Sequence, residues 1–149
     1  MQKVRGVMRY INRISRSNDI VYSTELKDYG VTVCQHPYIR HICAEPGISQ
    51  EKLSKQLCLH PSSVARQLSA LEKKGLITRV QDEEDRRAYR VYPTEKMKDL
   101  DPQVRRVMRS WNEYLLQDLS EEEKESLYEM LDKLLKRAIA AEEKTLGGK

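Results

Sequence analysis

The sequence predicts a mainly α-helical chain with a small β-wing, a winged helix-turn-helix flanked by N- and C-terminal dimerisation helices. Three observations predict it. Apolar residues recur at helical spacing over most of the chain. Two β-prone runs, Leu76 to Val80 and Ala88 to Tyr92, stand together around a charged tip. Directly before them come a short helix, a turn and a second helix. Of 149 residues 39% are hydrophobic and 34% charged, against about 45–50% and about 25% in an average soluble chain. Core material is therefore short for the length. Basic and acidic residues nearly balance at 27 to 23, which argues against wholesale disorder. The longest apolar run, Ala138-Ile139-Ala140-Ala141, is far below the ~20 residues that span a bilayer. No leader-like segment is read at the N-terminus, and a cytoplasmic protein is expected.

The elements follow in order. Val4, Val7, Ile11, Ile14 and Val21 recur in steps of three and four, with Asn18 in the remaining slot. This is a helical seam whose one polar residue can fix register in a helix pair. Thr32-Val33-Cys34-Gln35 has capping-box spacing, while His36-Pro37 offers a second start with proline in the first turn. Glu45-Pro46-Gly47 ends that helix. Ser49 caps a short helix carrying Leu53 and Leu57, and Pro61 opens the next. Val64, Leu68 and Leu71 of that helix fall within about 60° of arc, and Lys73-Lys74-Gly75 stops it. A two-stranded hairpin follows around Gln81 to Arg87. Beyond it Val104, Val107, Met108, Trp111, Leu115 and Leu119 form one stripe. A capping box, Ser120 to Glu123, then opens a helix with Leu127, Leu131, Leu134 and Ala138, and Thr145 to Lys149 reads as a frayed tail. The expected organisation is an N-terminal dimerisation helix over 1–30, a DNA-binding domain over 31–93 and long helices over 94–149 that complete the dimerisation region.

The second helix of such a motif enters the DNA major groove. With Val64, Leu68 and Leu71 inward, its opposite face carries Ser62, Ser63, Arg66, Ser69 and Lys73, with Gln67 at the edge. Ser62 and Ser63 lie in the first turn, where hydroxyls, free N–H groups and the helix dipole suit a phosphate. Arg66, one turn on, is placed for the bidentate guanine contact. Arg86 and Arg87 sit at the hairpin tip, and Arg87, left unpaired, suits a narrow minor groove. Asp82, Glu83, Glu84 and Asp85 share that tip, so at least one acid should be neutralised internally. Asp85 is the expected one, with Arg79 or Arg86 as partner. Regional charge agrees: residues 49–93 hold nine basic and six acidic residues, whereas the last thirty hold six and eight.

Cys34, Cys43 and Cys58 are three thiols without CxxC spacing, each with a histidine two residues away (His36, His41, His60). Residues two apart on a helix point in nearly opposite directions, so no pair chelates locally. A zinc site would need Cys34 and His41 plus distant ligands. Free thiols and no metal or cofactor are expected, and no nucleophile–base pair or phosphate-cradling glycine loop suggests an enzyme.

From Val31 to Leu100 the chain resembles the MarR family of bacterial transcriptional regulators (SlyA-like). The matching stretches are Glu45-Pro46-Gly47-Ile48-Ser49-Gln50-Glu51-Lys52-Leu53, Pro61-Ser62-Ser63-Val64-Ala65-Arg66, Leu71 to Arg79, Asp82-Glu83-Glu84-Asp85-Arg86-Arg87-Ala88 and Thr94-Glu95-Lys96. The resemblance implies a homodimer on a pseudo-palindromic operator, released in many members by a small aromatic ligand or an oxidant. It places Ser62, Ser63, Arg66 and Gln67 on the recognition helix, and Asp85 and Arg87 on the wing signature. Pro93 and Met97 stand where the family usually has leucine and glycine. The reactive cysteine of peroxide sensors and the late histidines of zinc sensors have no counterpart here.

A dimer also follows without the resemblance, because the first and last helices each carry a seam that a winged helix of about 70 residues cannot cover. Two half-sites ~34 Å apart also need a spacer of this kind. An effector pocket is expected between the DNA lobe and the dimer lobe, from Tyr10, Ile14, Tyr22, Tyr38, His41 and Trp111. The alternatives are a thiol- or metal-sensing regulator of the same fold and a winged-helix adaptor that binds protein.

Overall fold

A computed structural model describes residues 6–147; Val4 of the first seam and the last two residues of the expected tail lie outside them. The element order is α1 (Val7–Glu25), a 3-10 turn (Lys27–Tyr29), α2 (His36–Ala44), β1 (Ile48–Ser49), α3 (Gln50–Leu57), α4 (Pro61–Lys73), β2 (Ile77–Gln81), β3 (Tyr89–Pro93), α5 (Glu95–Leu116) and α6 (Glu121–Leu146). The chain divides into two compact units, Met1–Trp111 and Asn112–Lys149, with the division inside α5.

In the first unit, the choice between two starts for α2 falls on His36, with Pro37 in the first turn. Proline lacks an N–H and its φ suits that position. Half of the earlier capping pattern survives as a brace, Gln35 Oε1 accepting from the Thr32 amide at 3.3 Å. The expected two-stranded hairpin is part of a three-stranded antiparallel sheet in the order β1-β3-β2. β1 is only two residues long, with Ile48 opposite Val91 and Ser49 opposite Arg90. So short a strand has no alternation of its own and exists only through its partner. Ser49 then caps α3, its Oγ accepting from the Lys52 amide at 3.1 Å.

Val64, Leu68 and Leu71 of α4 are fully buried in one cluster with Leu53, Ile77, Val91 and Met97. Burial of each such side chain stabilises by about 1.5–3 kcal/mol, so the inward face of α4 is set by packing and its outward face follows. Behind α4, Lys74 Nζ donates to the Gly30 carbonyl and to Gln35 Oε1, both at 2.8 Å. At the wing-to-helix junction, Pro93 ends β3 opposite Ile77. Thr94 Oγ1 donates to the Gly75 carbonyl at 2.8 Å and accepts from the Met97 amide. Met97 fills a core position at 0% exposure, so the departure from glycine adds packing there.

α1 buries only Tyr22; Val7, Tyr10 and Ile14 of its apolar seam stay about half exposed. In the second unit, α6 opens with both halves of the capping box, the Glu123 amide on Ser120 Oγ and the Ser120 amide on Glu123 Oε2. The helix runs on through Leu146, where a frayed tail from Thr145 was expected. Thr145 Oγ1 donates back to the Ala141 carbonyl at 2.9 Å, which holds the last turn. No described residue of α6 is buried, and Leu131, Leu134, Leu135 and Ile139 are 41–58% exposed.

Candidate nucleic-acid interface

The turn into α4 is built by Cys58, the one non-glycine among the described residues with positive φ (54°). Its amide and that of Leu59 close onto the last carbonyls of α3. His60 is the N-cap of α4: its Nδ1 accepts from the Ser62 amide at 3.2 Å and lies 2.7 Å from Ser62 Oγ. A nitrogen that accepts the cap bond carries no proton of its own. The Ser62 hydroxyl is thus engaged by His60, a residue sequence reasoning passed over as a zinc question. A capping residue immediately before a first-turn proline was the signal that could have found it.

Along α4, Ser62, Arg66 and Lys73 are exposed, while Ser63, Gln67 and Ser69 are partly buried. Arg66 and Lys73 make no ion pair among the described residues. Ser69 is turned to another use. Arg79 on β2 donates to Ser69 Oγ at 3.5 Å and to Glu72 Oε2 through both Nε (3.0 Å) and Nη2 (2.6 Å). The Arg79 guanidinium also lies 6.0 Å from the Tyr89 ring centre. The wing is therefore fastened to α4.

That geometry corrects the expected pairing at the tip. Arg79 sits opposite Val91, below the last pair Gln81–Tyr89, and its charge is met by Glu72. The acid neutralised internally is Asp82, whose Oδ2 accepts from Arg90 Nε at 2.6 Å. Its Oδ1 accepts from the amides of Glu84 (2.9 Å) and Asp85 (3.2 Å). These two amides first, and Arg90 after them, hold the Asp82 carboxyl below the usual carboxylate range. Asp85 takes a backbone partner in place of a guanidinium, Oδ1 accepting from the Arg87 amide at 3.0 Å. Gln81 Nε2 donates to the Arg86 carbonyl. With their backbones so held, Arg86 and Arg87 are exposed and make no ion pair among the described residues. A cleft of about 310 Å³ is lined by Arg87 and Tyr89 together with Gln50 and Ser54 of α3. Asp82 and Arg90 were missed as a pair because only strand register brings them together.

A family model for the MarR family matches residues 31–89. The HTH-type transcriptional regulator YybA of Bacillus subtilis (strain 168), itself uncharacterized, is 33% identical over 133 residues, 89% of each chain. The chain belongs to the MarR family. Among solved structures, the transcriptional regulator SlyA is 32% identical with a TM-score of 0.84, over 89% of this chain and 93% of that one. A MarR-family regulator from Listeria monocytogenes, crystallised with a 26mer DNA, has TM-score 0.88 and 28% identity, over 98% and 97% of the two chains. MarR regulators are non-enzymatic. The family match spans α2 to the first residue of β3, the stretch that carries Ser62, Arg66, Lys73, Arg79, Asp82, Arg86 and Arg87 but stops short of Arg90.

The six pocket candidates lie in different surroundings. Tyr22 and Tyr38 belong to the core at 5% and 1% exposure, where burial pushes both phenols up. Tyr22 packs edge-on against His36 at 4.8 Å. His41 Nδ1 lies 2.8 Å from the Pro37 carbonyl, Trp111 is packed against the core, and Tyr10 and Ile14 are exposed on α1. Of the thiols, Cys34 and Cys58 are exposed, while burial chiefly, with the Asp101 charge second, pushes Cys43 up to about 11. No group of three His, Cys, Asp or Glu among the described residues could hold a metal ion. Among them, no helix is long and apolar enough to cross a membrane.

Proposed function

We propose that this MarR-family protein is a dimeric, sequence-specific DNA-binding regulator, a cytoplasmic repressor released by a small effector. The observation that carries the reading is the distribution of partners among the charges of residues 61–93. Arg66, Lys73, Arg86 and Arg87 are without ion-pair partners among the described residues and exposed, while Arg79 and Arg90 are held by Glu72 and Asp82. Cations left free on one helix face and one hairpin tip match a major-groove helix and a flanking minor-groove arginine. In this reading Arg66 reads a base edge, Ser63, Gln67 and Lys73 line the groove, and the first turn of α4 meets a phosphate. Two copies join through the seams of α1 and α6, so residues 1–30 and 94–149 serve dimerisation and residues 31–93 bind the operator.

The test is selection of bound fragments from the source genome, followed by titration of the enriched duplex against a random one. Enrichment of an inverted repeat, bound about a thousandfold or more above random DNA, supports the reading. Equal and weak affinity for both at low salt refutes it and favours a winged-helix adaptor.

A further inference from the structure

The wing carries four arginines, and two of them reach back toward the body of the domain. Arg90 is the less obvious, because its side chain is 50% exposed on the strand next to the tip. Exposure alone would add it to the cations facing DNA, yet both ends of its guanidinium are used. Nε meets Asp82 Oδ2 at 2.6 Å, and Nη1 donates to the Gly47 carbonyl at 3.1 Å. Gly47 is itself fixed: its amide donates to the Val91 carbonyl at 2.8 Å. Its φ is +85°, and a Cβ there would lie 3.0 Å from the Tyr92 hydroxyl. The other end of the chain is Asp82, only 12% exposed, whose remaining oxygen gathers the amides of Glu84 and Asp85. Asp85 in turn takes the Arg87 amide. A continuous series of bonds thus runs from the loop before α3, through Arg90 and Asp82, to the backbone of Arg87.

We propose that Arg90 is a positioning residue for DNA recognition: paired with Asp82, it anchors the wing-tip turn to Gly47 so that Arg87 is presented, and does not contact DNA itself. The inference rests on the wing reading above. It makes a prediction opposite in sign to simple electrostatics. Removing an acid beside a polyanion should tighten binding, and all the more if the arginine it releases could reach a phosphate. If Asp82 serves to hold the turn through Arg90, removing its charge loosens the presentation of Arg87 and weakens binding.

The experiment titrates a fluorescein-labelled duplex recovered by the genomic selection with full-length wild type, Asp82→Asn, Arg90→Gln, Arg87→Ala and the Asp82→Asn/Arg87→Ala double variant, at several salt concentrations. Thermal melts of each check folding. Asp82→Asn and Arg90→Gln are each expected to raise Kd about tenfold, the scale of one charge-assisted hydrogen bond, with no steepening of the salt dependence. In the Arg87→Ala background the Asp82 change should add little. Tighter binding or a steeper salt slope for Asp82→Asn would make Arg90 a DNA contact and overturn the proposal. Equal loss in both backgrounds, accompanied by a lowered melting temperature, would reduce the pair to a fold-stabilising contact and overturn it too. No effect of Arg87→Ala alone would remove the wing reading, and this inference with it.

Discussion

Leu131→Ala/Leu134→Ala, on α6, tests the dimer most directly. In the single chain these leucines are 41% and 43% exposed, so about two-fifths of each is left for a second copy to bury. A fully buried leucine is worth about 1.5–3 kcal/mol, and two-fifths of that is roughly 0.6–1.2 kcal/mol per side chain. A two-fold interface uses each position twice, so four such burials sum to roughly 2.4–5 kcal/mol, about two to three and a half orders of magnitude in Kd. Alanine is the best helix former, so α6 itself should not melt. Sedimentation velocity across the nanomolar to micromolar range reads the monomer–dimer midpoint directly, and far-ultraviolet circular dichroism checks that helix content is kept. The expected outcome is a midpoint moved up by that factor with unchanged helicity. A wild type that sediments as a single chain throughout, or a variant whose midpoint does not move, would refute the argument that the exposed seam is an interface.

Arg66→Ala should cost about 1–3 kcal/mol on the selected duplex and relax preference at one base pair per half-site; an equal loss on random DNA would show a backbone contact instead. With its thiol pushed up to about 11, Cys43 should stay protonated and slow toward a disulfide reagent at neutral pH, while Cys34 and Cys58 react fast. Cys43→Ser should then leave the fast amplitude unchanged, and a drop by one thiol would contradict the assignment. His36 has its pKa lowered by burial, against the opposing charge of Asp19. Since the unfolded chain binds this proton near pH ~6.5 and the folded chain only below that, stability is full above that value and falls as pH drops toward the folded pKa. Urea melts at neutral and mildly acidic pH should therefore show a smaller acid loss for His36→Phe than for wild type, and equal losses would assign the acid sensitivity elsewhere.

Much of this architecture was legible because it depends on short-range patterns. The spacing of Val64, Leu68 and Leu71 sets which face of α4 is buried, and so which face carries Arg66 and Lys73. Ser49 and Ser120 mark helix starts through bonds within one turn, and Pro61 marks one through its fixed φ. What sequence did not disclose depends on partners far along the chain. β1 exists only opposite β3. The pairing of Arg79 with Glu72 requires knowing that β2 runs beside α4, and that of Asp82 with Arg90 needs the hairpin register. Counting opposite charges nearby suggested Asp85, whereas its carboxylate is used by a backbone amide. The pocket candidates were chosen as aromatic or polar-tipped residues near the expected junction of the lobes, and neither criterion tells a core tyrosine such as Tyr38 from a ligand-facing one.

The bonds from Arg79 to Ser69 and Glu72 have a consequence for how operators could vary. If α4 and the wing tip bind DNA as proposed, a helix and a hairpin joined in this way answer to strain as a single reading head. On an operator whose groove geometry shifts the flanking minor groove by even a base pair, α4 and the wing tip could not adjust separately. The spacing between the two contacts would then be discriminated by the protein's stiffness, at base pairs that no side chain touches.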